Sequence, residues 1–274
     1  MLRQNRVSEQ RGATLIELMI ALALTGIITL AIMKTYVTQH ESYLTQDDVS
    51  VMQQSSRACL DEMTRQIRMA GHKVPMGLAP LVASNANPDS IAVVYQGQEC
   101  ETFLTVQMAN TSSALQCNDA SCFDVGDWVY VYNPDSATGE WLQVSGIQGG
   151  NTLLHQYTPT NLTRTYPVDA IVVLLEQVKF FVDNATDPSD PSLMVQRGGD
   201  DPQIYADHIS DLQFRYRLAN GTVVNTPILL SDVREVLIDV TAQSKLGQSG
   251  DGGEQGDEDV KDRTYSSSVS LRNF

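Results

Sequence analysis

The chain has 274 residues, of which 42% are hydrophobic, 7% aromatic and 19% charged: enough apolar material for one or two packed domains, and too much for wholesale disorder or a coiled-coil rod. Eighteen Lys and Arg against 33 Asp and Glu leave a net charge of −15, so there is no basic surface to attract phosphate and a nucleic-acid partner is not expected. Four cysteines are too few for a disulfide-built mini-scaffold, and four histidines are too few for a rich metal site.

Residues 1–12 read MLRQNRVSEQRG, with Arg3, Arg6 and Arg11 against Glu9 alone. Residues 13–33 follow as an apolar run broken only by Thr14, Glu17, Thr25, Gly26 and Thr29. A helix of that length rises through about 30 Å, the thickness of a bilayer core. The arginines precede the span, which places the N-terminus in the cytoplasm and the remainder across the membrane. A cleaved secretory signal would have a shorter apolar stretch and a small-residue cleavage site. A plain anchor leaves Glu17 unexplained, since a carboxylate in hydrocarbon costs at least about 2.5 kcal/mol. An acid inside the span is therefore a functional candidate by default.

The helical pattern continues to about Ala70. Val37, Leu44, Val51 and Ala58 recur every seven residues, joined by Met52, Cys59, Met63, Ile67 and Ala70. Polar residues lie between them, so this half reads as an amphipathic stem whose stripe packs on the head. Gly71 is the expected C-cap, with Pro75 just beyond. From about Lys73 the period becomes two. The expected strands are 91–95, 103–106, 128–132, 141–144, 170–181, 212–218, 236–240 and 265–271, separated by turn sequences such as Asn133-Pro134-Asp135 and Asn220-Gly221. The fold class is therefore α+β, a long N-terminal helix packed on a mainly antiparallel, β-rich head. The divisions are a leader (1–12), a transmembrane and assembly half-helix (13–33), an amphipathic stem (34–72) and a head (73–274).

Residues 11–20, Arg-Gly-Ala-Thr-Leu-Ile-Glu-Leu-Met-Ile, resemble the class III signal of type IV prepilins and type II secretion pseudopilins. The resemblance implies that a membrane prepilin peptidase cuts between Gly12 and Ala13 and N-methylates Ala13. Ala13 departs from the phenylalanine most often found there. It also implies that Glu17, fifth in the mature chain, serves assembly by charge pairing. Residues 60–72, 124–131, 142–147, 207–216 and 269–273 are similar to segments of PilW-type minor pilins. By that resemblance the chain is a minor pilin acting in pilus assembly, priming and tip organisation. Its expected partners are other minor pilins, the major pilin, the inner-membrane assembly platform and a tip adhesin. Its expected place is the bacterial inner membrane, with the head in the periplasm, and then the pilus. The rivals are a J-type minor pseudopilin of a type II secretion system and a membrane-anchored periplasmic binding protein or enzyme.

No catalytic motif appears. His40, His72, His155 and His208 are scattered, and neither a G-x-S-x-G elbow nor a phosphate loop is present, so no enzyme activity and no cofactor are expected. Four cysteines allow three pairings in an oxidising periplasm. Cys117 with Cys122 and Cys59 with Cys100 is the favoured set, with Cys59 as a buried free thiol the alternative. Residues 247–262 place Asp251, Glu254, Asp257, Glu258 and Asp259 within nine positions. Such a loop could offer calcium several oxygens, but its spacing is not an EF-hand, and a flexible hairpin tip is the favoured reading.

Overall fold

The computed structural model describes residues 14–155, 162–188, 190–226, 232–243 and 262–273. The chain divides into two compact units, residues 1–50 and 51–274. The single long helix α1 spans Leu15–Met69. Fifteen strands follow among the described residues. In chain order they are β1 (Leu81–Ser84), β2 (Ser90–Tyr95), β3 (Glu101–Phe103), β4 (Leu115–Gln116), β5 (Trp128–Asn133), β6 (Thr138–Gln148), β7 (Thr152–His155) and β8 (Ile171–Leu174). Then come β9 (Glu176–Asp183), β10 (Ser192–Arg197), β11 (Gln203–Asp207), β12 (Ile209–Leu218), β13 (Val223–Val224), β14 (Val233–Gln243) and β15 (Asp262–Ser270). The α+β expectation holds.

Every paired ladder is antiparallel. The strands form a five-stranded sheet in the order β1-β2-β9-β10-β11, a four-stranded sheet in the order β13-β12-β14-β15, and a six-stranded sheet in the order β3-β8-β5-β6-β7-β4. The six-stranded sheet closes on itself. Leu104, just past β3, bridges Cys117, just past β4, and the Thr105 N–H donates to the Gln116 carbonyl at 2.8 Å. Closure removes both exposed edges and encloses a core that includes Leu104, Leu115, Phe123, Val131, Leu153 and Tyr166. The run 170–181, expected as one strand, is two. β8 pairs in the closed sheet and β9 in the five-stranded one, with buried Leu175 at the hand-over.

In the second unit α1 buries Met52, Ser56, Cys59, Leu60, Met63, Gln66 and Ile67, a helical face at spacings of three and four. Gly71 ends the helix in a left-handed conformation (φ 82°), and its N–H donates to the Val94 carbonyl at 3.0 Å. A Cβ there would stand 2.9 Å from the Asn273 carbonyl oxygen, so the cap requires glycine for space as well as for φ. The stem stripe needs correction. Met52, Cys59, Met63, Ile67 and Ala70 are buried, whereas the heptad row Val37, Leu44 and Val51 is 46%, 39% and 49% exposed, and Ala58 is exposed too. Val51 and Ala58 directly precede the buried Met52 and Cys59, about 100° around the helix, so the two sets mark different faces.

Candidate functional site

The functional segment is the start of α1. Thr14 precedes the first helical residue and caps it. The Thr14 backbone N–H and Oγ1 both donate to Glu17 Oε2, at 2.8 and 3.0 Å, and the Glu17 N–H donates back to Thr14 Oγ1 at 3.4 Å. This is a reciprocal capping box, which satisfies donors that the first turn cannot pair internally. Glu17 therefore has donors on its own helix. The expected pairing with an amine on Ala13 falls on residues outside the described set, as do both sides of the Gly12–Ala13 bond.

Beyond the cap, Leu15 to Met33 form an apolar cylinder. Its large side chains are 54–79% exposed, and the apolar window of the helix is not buried against the protein anywhere. Thr25 and Thr29 turn their hydroxyls inward, donating to the Ala21 and Thr25 carbonyls at 2.7 and 2.8 Å. Their polarity is thus spent on the helix's own backbone. The segment is long and apolar enough to cross a membrane.

The cysteines pair differently from the favoured set. Cys100 is bonded to Cys122, with Cα atoms 5.7 Å apart, while Cys59 and Cys117 are buried free thiols. The reason lies in the closed sheet. Cys117 is held inside the core by its bridge to Leu104, and the following loop crosses β3, where the Asn118 N–H donates to the Phe103 carbonyl and the Asp119 N–H to Thr102 Oγ1. That path carries Cys122 to Cys100, at the start of β3. Cys59 packs inside the stem face. Burial pushes the Cys59 thiol up to about 12 and the Cys117 thiol up to about 11. Asp251, Glu254, Asp257, Glu258 and Asp259 lie outside the described residues. Among the described residues no group of three His, Cys, Asp or Glu is placed to share a metal.

Thr14 belongs to the quoted motif, but its role as the cap was not expected. The Thr-x-x-Glu spacing just before an apolar run carried the signal. The family model of the prokaryotic N-terminal methylation motif matches residues 8–33. No curated protein and no solved structure matches the chain. The motif together with the apolar helix supports a type IV pilin-like or pseudopilin protein, processed by a prepilin peptidase, anchored in a membrane and assembled with other pilins. It points to a structural subunit rather than an enzyme.

Proposed function

We propose that the chain is a minor pilin of a type IV pilus, acting in assembly and priming of the fibre and in the organisation of its tip. The observation that carries this reading is the burial contrast along α1: the motif-bearing half exposes its entire apolar surface, while residues 51–274 close around their own core. An apolar cylinder without a partner among the described residues is suited first to lipid and then to a bundle of similar helices. The exposed row of Val37, Leu44 and Val51 extends that surface beyond the membrane half.

In this reading the peptidase removes residues 1–12, leaving Ala13 as a methylated amine. The arginines of the leader keep the N-terminus cytoplasmic and the head periplasmic. Glu17, held by Thr14 in the separate subunit, exchanges that partner for an amine, on its own or a neighbouring subunit, as the helices bundle. The partners are other minor pilins, the major pilin, the assembly platform and a tip adhesin.

The test is Glu17→Ala at wild-type expression in the native host. Membrane insertion should persist, because removing a charge favours lipid. Recovery of the subunit in sheared fibres should fall sharply. Wild-type recovery in those fibres would refute the pairing role. Recovery of the wild-type chain with a secretion pseudopilus and never with pili would move the assignment to a J-type pseudopilin.

A further inference from the structure

A cleft of about 320 Å³ opens where the closed six-stranded sheet meets the five-stranded sheet, at the hand-over from β8 to β9. Its walls carry Gln98, Asp127, Trp128, Glu176, Gln177 and Arg197. Several of these groups are held in place before any ligand arrives. Asp127 Oδ2 accepts the Asp124 N–H at 2.8 Å, and Glu176 Oε2 accepts the Tyr95 hydroxyl at 2.8 Å. The Cys100–Cys122 disulfide joins the segment bearing Gln98 to the one leading into Asp127. Opposite them, the Gly198–Gly199 turn lies against the indole of Trp128. A Cβ on Gly198 would stand 2.8 Å from the ring's Cδ1, and one on Gly199 would overlap the ring. A preset polar wall lowers the ordering cost of binding.

The indole Nε1 is buried and has no acceptor among the described residues. Such a donor is costly to leave unpaired, and its presence on a cleft wall points to a missing acceptor. The other groups narrow its chemistry. Asp127, Glu176 and Asp200 outnumber the one guanidinium of Arg197, which disfavours an anion. β9 is paired on both sides, by β2 and β10, so the cleft offers no free strand edge to a peptide backbone. Uncharged groups that both accept and donate hydrogen bonds satisfy the whole wall, and hydroxyls do this. We propose that the cleft binds a short neutral saccharide. Its hydroxyls donate to Asp127 and Glu176 and accept from Gln98, Gln177 and Arg197. One ring oxygen or hydroxyl takes the Trp128 N–H as the Gly198–Gly199 turn, free of side chains, yields to it.

The full chain, held in amine-oxide micelles so that no detergent sugar competes, is titrated with maltotriose and with chitotriose. Tryptophan emission and saturation-transfer NMR report binding. At least one of the two should bind. Trp128→Phe should then weaken it about tenfold, the effect of one lost hydrogen bond, whereas Trp141→Phe should not. Gln98→Ala, at an exposed position, gives a second variant should Trp128→Phe lower the melting temperature. The proposal is overturned if neither trisaccharide binds up to about 20 mM, if Trp128→Phe and Gln98→Ala both bind like wild type, or if only a sialylated saccharide or a tripeptide binds.

Discussion

Residues 15–33 and residues 51–70 belong to one stretch of helical sequence and share the same apolar vocabulary of Leu, Ile, Met and Ala, yet their burial is opposite. In the first segment every large apolar side chain is more than half exposed. In the second, Met52, Cys59, Met63, Ile67 and Ala70 are at most 2% exposed. Composition therefore does not decide what an apolar helix is for; the partner does. The first segment surrounds itself with hydrophobic side chains and has no partner among the described residues, so its free energy is realised on lipid or other helices. The second confines them to one face and fills a core that the same chain supplies.

Substitutions in the two halves should separate cleanly. Met63→Ala removes a fully buried side chain and should destabilise the head by about 2–5 kcal/mol. Leu30→Ala, in the exposed half, should leave the melting temperature of the head unchanged. Equal losses from the two would abolish the contrast.

The head's independence also rests on its cross-link. Replacing Cys100 and Cys122 by serine should cost about 2–4 kcal/mol, and peptide mapping of oxidised protein should recover Cys100 linked to Cys122. Cys59 and Cys117, their ionisation pushed far above neutral pH by burial, should resist maleimide at pH 7 in the native state and react after denaturation. A native chain that labels readily at Cys117 would argue for a different closure of the six-stranded sheet.

The smallest effect belongs to the capping box. Thr14→Ala should cost the first turn of α1 about 1 kcal/mol, read as faster amide hydrogen exchange at Leu15–Glu17 in micelles. Thr14→Ser should restore wild-type exchange. No difference between Ala and Ser would mean that the hydroxyl does not hold Glu17.

The helix was legible because its period and its stop signals agree: an apolar run, a one-sided face and Gly71 at the point where Asn273 approaches too closely for a side chain. Alternation exposed β12 and β14, each buried on one face, while the apolar runs of β2 and β5 marked strands whose Val93–Tyr95 and Val129–Val131 are buried in succession. It could not reveal β11, whose Gln203, Ile204 and Tyr205 are exposed in succession, nor the division at Leu175, because a strand buried on both faces reads as one continuous run. The disulfide was illegible for a different reason. Cys117 and Cys122 are near in sequence, but the bridge between Leu104 and Cys117 turns one of them into the core, and only the path of the loop over β3 brings the other to Cys100. Of the functional segment, Glu17 stood out as a charge in an apolar run, while Thr14 showed itself only as the donor facing it.

The proposal makes the exposed half of α1 a processed assembly element and not a simple anchor. The most direct measurement is mass spectrometry of the mature N-terminus purified from the native host. The expected result is a chain that has lost residues 1–12 and begins at Ala13 with a methylated amine. A mature chain that still begins at Met1, or one cut C-terminal to the apolar helix, would contradict it.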